Sequence, residues 1–395
     1  MQPDIFIISA ELAWPLAVLL AWLAGEFVHR WTGVPRISVY GLAGFLLAQA
    51  FPDLFATDSA SSITMLANVA FGLILFEFGY RVNLHWLRVN PWIAISGLVE
   101  SVATFAVVYL IASWQDMPPL TALLLASLAM SSSPAGVLRV INEERSSGQV
   151  TERVLHLVAM NSVLAVFVFK VIVGFWVFQT SGSLPQAVSH SLIELVASAL
   201  LGAVFGMLVP AVLRSLGTLA RDGTVAFALV VVLLVAITHA YDLSPVLATL
   251  TFGLTARHRR VSFARTQRNF GAIGELLTVL LFVFAVSTLD WARVVSGATL
   301  GCFLLLARFL VKTLAVAVFS HAGGITWRKG ALIGVAMSPM SVFVILLLEQ
   351  TKSMGIVLVD ELAALAAMTL FMEVIGPIIT QWALIWARET AKEED

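Results

Sequence analysis

Long apolar stretches recur along the whole chain, and they limit what it can fold into more than any other feature. A window of about 20 apolar residues is long enough to cross the hydrocarbon core of a bilayer as a helix. The chain is 59% hydrophobic and only 12% charged, whereas soluble proteins average about 25% charged residues. We therefore predict an all-α polytopic membrane protein with about thirteen transmembrane helices. The predicted segments are 5–28, 36–52, 62–80, 91–113, 119–141, 152–178, 187–213, 224–240, 243–256, 268–288, 292–318, 329–349 and 357–387.

Basic residues are distributed unevenly among the loops between these segments. Of the 23 lysines and arginines, only Arg293 and Lys352 lie in one set of alternate loops, and Lys170, Arg308 and Lys312 lie inside segments. The opposite loops hold all the others. Because basic loops stay in the cytoplasm, this distribution predicts a multi-pass protein of the plasma (inner) membrane, with its N-terminus outside and its C-terminus in the cytoplasm.

Several kinds of functional site find no support in the sequence. The single cysteine, Cys302, excludes an intrachain disulfide and a cysteine metal cluster. No phosphate-binding loop, HExxH motif or Ser/His/Asp pattern stands out, and neither a cleavable signal nor a soluble regulatory domain is expected. We expect a single transmembrane domain over 1–395 that is not an enzyme. It should have no catalytic residues, no cofactor, no metal site and no nucleic-acid partner.

Two segments share a pattern that interrupts a helix. They read LAMSSSPAGVLRV over 128–140 and GVAMSPMSVFV over 334–344. Pro134 and Pro339 each remove a backbone donor near mid-membrane, and nearby serines can bond to the freed carbonyls. The segments are seven apart and so run in opposite directions. One Ser-Pro pair is more often a simple kink, but two matched pairs predict inverted repeats with crossed broken helices, the mark of a secondary transporter.

Polar and charged residues on neighbouring segments can compensate the exposed ends of the broken helices. Each half-helix exposes N–H groups at one end and carbonyls at the other. Arg308 and Lys312 are four residues apart on one helix face, so we predict that they supply this compensation. Asn161 and Ser162 interrupt an apolar run, and we interpret them as part of an ion site. The alternative is that they only form hydrogen bonds to adjacent helices. The predicted ion-binding residues are Asn161, Ser162, Ser131, Ser132, Ser133, Ser338 and Ser341.

Several stretches resemble the monovalent cation:proton antiporter superfamily. They are VPRISVYGLAGFLLAQ, FGLILFEFGYRVNLHWLRVN, VLRVINEERSSGQVTERVLHLVAMNSVLAV and the basic face in LLLARFLVKTLAVAVF. The resemblance covers about 5–387 and is most specific over 131–166. It implies a sodium/proton antiporter-like fold that forms a homodimer. Each chain would have a mobile core subdomain of about 62–178 and 268–349, with dimerisation or scaffold helices from the remainder.

The resemblance also implies a site from which this sequence departs. In the superfamily the position of Asn161 is held by Asn or Asp, and that of Ser162 by the aspartate that binds the cation and carries the proton. Serine has no carboxylate that titrates near neutral pH. The possible substitute carboxylates are Glu77, Glu100, Glu194, Glu275 and Glu373. Lys170 lies past mid-span, where its stem can extend to the outer interface.

Three functions are open at this point. The first is a secondary active transporter that exchanges a monovalent cation (sodium or potassium) for protons by alternating access, through another carboxylate or a changed coupling. The second is a transport-inactive sensor, or a subunit that joins a partner subunit in a membrane assembly. The third is an anion transporter, because helix N-termini together with Arg308 and Lys312 would form a positive site.

Overall fold

The computed structural model is built from helices that follow the predicted segments. No strand occurs among the residues it describes. Parts of the predicted segments, including 5–9, 268–269 and 357–361, lie outside the described residues. The structure describes residues 10–55, 60–178, 184–215, 219–259, 270–341, 344–345, 347 and 362–391.

Each predicted segment contains at least one helix, so the all-helical polytopic prediction is confirmed. Within the described ranges, nine helices are long and apolar enough to cross a membrane, counting α7 and α8 as one broken span. The helices are α1 (Ala10–Thr32), α2 (Arg36–Ala50), α3 (Pro52–Phe55), α4 (Ala60–Arg81), α5 (Leu84–Val89), α6 (Pro91–Trp114), α7 (Pro119–Ala129), α8 (Pro134–Glu143), α9 (Gln149–Phe178), α10 (Leu184–Ser215), α11 (Leu219–Ala240), α12 (Pro245–His258), α13 (Gly271–Ser287), α14 (Trp291–Ser320), α15 (Trp327–Ala336) and α16 (Ala363–Trp386).

Both predicted helix breaks are present. Residues 130–133 separate α7 from α8, and the chain after α15 is non-helical over 337–341. Pro134 begins α8 at a position where its missing N–H costs nothing. Ser133 caps the same helix, because its side-chain oxygen accepts a hydrogen bond from the N–H of Gly136 at 3.0 Å. The local Ser-Pro sequence therefore ends one half-helix and starts the next.

The helices pack in two groups. In the first, α14 packs against α6, α15 and α16, while α7 and α9 complete the same bundle. In the second, α12 packs between α4 and α10, and α13 packs against α2 and α4. A Cβ at Gly79 would clash with the carbonyl of Leu250, and one at Gly253 with that of Phe76. Glycine at both positions therefore lets α4 and α12 approach closely. The two groups meet where α16 packs on α2 and where α9 packs on α10.

Candidate functional site

The two helix breaks contact each other directly. The backbone N–H of Ser133 donates to the carbonyl of Pro339 at 2.9 Å. The hydroxyl of Ser132 donates to the carbonyl of Met337 at 2.9 Å. All four residues are buried. The crossing expected from the matched Ser-Pro segments is therefore present, and the carbonyls that the breaks expose converge in its interior.

Arg308 of α14 compensates these carbonyls. Its side chain is buried, with 1% of its surface exposed. The guanidinium donates to the carbonyls of Ala129 at 2.8 Å, Ser131 at 2.7 Å and Ser338 at 2.5 Å, with a longer contact to Pro339 at 3.5 Å. A broken helix leaves its last carbonyls without intrahelical donors and with partial negative charge. One side chain thus serves the carboxyl ends of both half-helices, as predicted for this position.

Lys312 lies one turn further along α14 and links the crossing to a carboxylate. Its Nζ donates to the carbonyl of Met130 at 2.9 Å and to Oε1 of Glu100 on α6 at 2.5 Å. The side chains of Lys312 and Glu100 are both fully buried. Burying two charges carries a large desolvation cost, which is offset only when the pair has good geometry and further hydrogen bonds. Further hydrogen bonds to this pair must come from the other side chains around Glu100.

Glu100 has two more donors. The side-chain amide of Asn161 donates to Oε2 of Glu100 at 2.6 Å, and the hydroxyl of Thr104 donates to Oε1 at 3.1 Å. Asn161 is oriented in turn by the hydroxyl of Ser101, which donates to its Oδ1 at 2.8 Å. Glu100 thus lies beside the crossing, with an ammonium on one oxygen and an amide on the other.

The predicted serines have different surroundings from Asn161. Ser162 is buried, but its hydroxyl donates to the carbonyl of Val158 in its own helix at 2.9 Å. The hydroxyls of Ser131 and Ser338 likewise donate to carbonyls within their own segments. The hydroxyl of Ser341 is buried and has no hydrogen-bond partner among the described residues. Of the seven predicted ion-binding residues, only Asn161 therefore bonds to a carboxylate.

Two of the other candidate carboxylates have partners away from the crossing. Glu77 of α4 accepts from Arg81 at 3.3 Å and from Asn142 at 2.9 Å. Glu194 of α10 forms an ion pair with Lys170 of α9, and each of these side chains is only 14% exposed. The ammonium of Lys170 is therefore paired between two helices, and the extension of its stem to the outer interface stays a prediction.

The last two candidates lie near the boundary between the helix groups. Glu275 of α13 is exposed and lines a cavity of about 180 Å³ between α2, α8 and α13. Glu373 of α16 is 2% exposed, and its Oε1 has no hydrogen-bond partner in the part of the chain that the structure describes. Neither contacts the Lys312–Glu100 pair.

Comparison with known proteins assigns the scaffold to a family. The family model described as "Sodium/hydrogen exchanger, transmembrane" matches residues 16–386. The chain belongs to this family. The resemblance seen in the sequence and the predicted class of function, a transporter of the cation:proton antiporter kind, are therefore confirmed. No curated relative matches the chain.

Solved structures show that this exchanger also has the expected fold. A structure of the sodium proton antiporter MjNhaP1 from Methanocaldococcus jannaschii at pH 8 matches with a TM-score of 0.65 and 14% identity, over 96% of each chain. A second MjNhaP1 structure, described as an electron-microscopy map, matches with a TM-score of 0.69 and 17% identity, over 99% of this chain and all of the other. The antiporter-like fold class is therefore confirmed.

The site of this exchanger contains groups that our sequence reasoning did not bring together. Glu100 was one of five candidate carboxylates, although a signal was available. Gly97, Glu100, Ser101 and Thr104 recur at three- and four-residue spacing and form a small, polar stripe on an otherwise apolar helix. A further missed contact is Thr380 of α16, whose hydroxyl donates to the last carbonyl of α15 at 2.9 Å.

Proposed function

We propose that this exchanger transports sodium or potassium against protons by competition at Glu100. The observation that carries the proposal is the position of Glu100, a fully buried carboxylate beside the crossed breaks and bonded to Asn161. A carboxylate binds either a cation or a proton, so occupancy by one excludes the other and couples the two fluxes. In this proposal Glu100 on α6 takes the role of the cation-binding aspartate. The superfamily resemblance places that aspartate at the position of Ser162, where this sequence lacks it.

Lys312 has a defined role in this proposal. Its ammonium contacts Oε1 of Glu100, which is where an entering cation would have to bind. The cation must displace the ammonium from Glu100. The ammonium then keeps its second acceptor, the carbonyl of Met130. Lys312 thus acts as a tethered competitor that neutralises Glu100 while the site holds no cation. The desolvation cost of an unpaired carboxylate in a dry site is thereby avoided.

Alternating access requires one part of the chain to move against another. The predicted core of about 62–178 and 268–349 is supported at its centre, because α6, α7, α9, α14 and α15 pack together. The packing favours different limits for the moving part. It leaves out α4 and α13, which pack within the other group, and adds α16, which packs on α14. We propose that the bundle of α6 to α9 with α14 to α16 moves as a unit and carries Glu100 between the two sides.

The setting of the exchanger is part of the same proposal. We propose a homodimer in the plasma membrane with the N-terminus outside and the C-terminus in the cytoplasm, without enzymatic activity. The uneven distribution of arginine and lysine among the loops supports this orientation. Membership of a transporter family supports the absence of enzymatic activity.

The two other functions suggested by the sequence fare differently. A sensor or subunit without transport is favoured by one observation: Glu100 already has a buried counter-ion in Lys312. Anion transport is disfavoured, because Arg308 directs its donors to backbone carbonyls and Lys312 is neutralised by Glu100. The surplus positive charge that an anion site would need is therefore already used.

A matched pair of alanine substitutions tests the proposal in proteoliposomes. Asn161→Ala is expected to lower cation-driven proton flux about tenfold or more, because it removes a charge-assisted hydrogen bond to Glu100. Ser162→Ala should lose far less, since its hydroxyl bonds only to its own helix. The flux is measured as internal pH change under imposed sodium or potassium gradients.

The same assay separates the alternatives. Strong wild-type exchange that neither substitution alters would place the working site elsewhere in the chain. A wild-type protein that is folded but inert under sodium, potassium and pH gradients would favour the sensor or subunit. Flux that follows an anion gradient and ignores the cation would favour anion transport.

A further inference from the structure

Ser101 of α6 differs from other buried serines of the helices in where its hydroxyl donates. The hydroxyls of Ser96, Ser127 and Ser162 each donate to a backbone carbonyl three or four residues earlier in the same helix, at 2.8–2.9 Å. This local bond is a common arrangement for a serine inside a helix. A hydroxyl has only one proton to donate, and Ser101 donates it to Oδ1 of Asn161 on α9 at 2.8 Å. A bond between helices thus takes the place of the bond within one.

Two consecutive residues of α6 hold the side-chain amide of Asn161 from both ends. Its Nδ2 donates to Oε2 of Glu100 at 2.6 Å, and its Oδ1 accepts from Ser101. The two ends of an amide are nearly equal in shape, but only the nitrogen end can donate to a carboxylate oxygen. Because the hydroxyl of Ser101 binds the oxygen end, it fixes the nitrogen end towards Glu100.

Close packing of α6 on α9 brings these groups together. Gly97 lies one helical turn before Ser101, and a Cβ added there would lie 2.0 Å from Cε of Met160. Glycine at this position therefore leaves room for the side chain directly before Asn161. Glu100, Ser101 and Asn161 are all 0% exposed. Bulk water therefore does not reach the amide to replace a donor that is removed.

The orientation of the amide decides how Glu100 presents its other oxygen. Asn161 holds Oε2, while Oε1 contacts the ammonium of Lys312, where the proposed cation would bind. A group that holds a ligating side chain from behind fixes its direction, and removing such a group from a metal site typically costs about 10–100-fold in affinity. Without the hydroxyl of Ser101, Oδ1 of Asn161 would lose its donor, and the amide would turn towards another one. Glu100 would then lose the bond that orients it.

We propose that Ser101 is a positioning residue that sets the affinity of the exchanger for its cation. The hydroxyl of Ser101 orients the amide of Asn161, the amide orients Glu100, and Oε1 of Glu100 faces the cation. Ser101 acts only through Asn161 and does not itself touch the cation. This role rests on the proposed exchange at Glu100 and names a residue that controls how tightly that site binds.

The test measures the KM for sodium or potassium from initial exchange rates in proteoliposomes. Ser101→Ala removes the donor, so we expect KM to rise about tenfold while the maximal rate falls far less. Ser101→Thr keeps a hydroxyl and should keep KM close to that of wild type. Ser96→Ala is the matched control, because it removes from the same helix a hydroxyl that bonds only within that helix. Its KM should equal that of wild type. A loss of folded protein lowers the maximal rate and leaves KM unchanged, so KM separates positioning from stability.

A combined variant tests the route through Asn161. Once Asn161 is alanine, the hydroxyl of Ser101 has no amide to orient. The variant that carries both Ser101→Ala and Asn161→Ala should therefore have the same KM as Asn161→Ala alone. A further rise in KM would contradict action through the amide. A KM in Ser101→Thr as high as that in Ser101→Ala would contradict the role of the hydroxyl.

Cation binding to the purified full-length protein gives a readout that does not depend on transport. The sodium or potassium concentration that half-saturates the rise in unfolding temperature reports affinity, and it should increase about tenfold in Ser101→Ala. Unchanged affinity in a folded Ser101→Ala variant would overturn the role of Ser101 and leave exchange by an active wild type intact. A wild type that binds the cation without exchanging it, and binds it more weakly after Ser101→Ala, would overturn the exchange and support the positioning role. A wild type that neither binds nor exchanges a cation would overturn both proposals.

Discussion

Replacing Arg308 with methionine is expected to destabilise the exchanger more than any other single change in the bundle. Methionine fills much of the same volume but donates no hydrogen bond. The carbonyls of Ala129, Ser131 and Ser338 would then lose the donor they share. Each buried group left unsatisfied costs about 1–3 kcal/mol, so we expect a loss of several kcal/mol. The measurement is thermal unfolding of the purified protein in detergent with added lipid.

A graded variant makes this prediction specific to the carbonyls. Arg308→Lys keeps the positive charge, but all the donors of its ammonium lie on a single nitrogen and cannot reach both breaks at once. Its unfolding temperature should lie between those of Arg308→Met and wild type. If Arg308→Met unfolds at the wild-type temperature, the breaks do not depend on Arg308 and the assignment of this side chain is wrong.

The second large effect concerns the buried pair of Glu100 and Lys312. Lys312→Met leaves the Glu100 carboxylate without its counter-ion. Glu100→Gln leaves the Lys312 ammonium without its counter-ion. Breaking a buried ion pair from one side typically costs about 3–5 kcal/mol. The double variant removes both charges and keeps similar volumes. It is therefore expected to regain most of the stability that either single variant loses.

A double-mutant cycle of unfolding free energies measures this coupling. A strongly favourable interaction between the two positions would confirm that the pair is closed in the protein in solution. Additive losses would contradict it, because they would mean that Glu100 and Lys312 find other partners when separated. Transport by the double variant should be absent in either case, since no carboxylate remains at the crossing.

Local chemistry explains which parts of the fold could be predicted from the sequence. Pro134 and Pro339 each lack a backbone donor, and the matched Ser-Pro pairs that contain them predicted the two breaks, whereas Pro15, Pro210 and Pro377 lie inside continuous helices. Arg308 and Lys312 could be placed at the breaks because their four-residue spacing puts them on one face and lipid is a costly environment for both. These inferences need only the chain near each residue, and the structure contains the expected contacts.

The partners of buried charges could not be predicted in the same way. Asn161 bonds to Glu100 across a separation of 61 residues, and Lys170 pairs with Glu194 on another helix. Which helices lie side by side depends on the packing of the whole bundle, and the apolar segments are too similar in composition to reveal it. For this reason five carboxylates stayed open as possible substitutes for the missing aspartate, and the polar stripe around Glu100 was not recognised as a site.

The most direct test of exchange at Glu100 is ion flux in proteoliposomes that contain either the wild type or Glu100→Gln. A sodium or potassium gradient is imposed across the vesicle membrane, and the internal pH is followed with a trapped dye. We predict proton movement opposite to the cation in wild type and none above empty vesicles in Glu100→Gln, provided that the variant elutes as a folded protein. Wild-type flux that persists in folded Glu100→Gln would contradict the assignment of the coupling carboxylate.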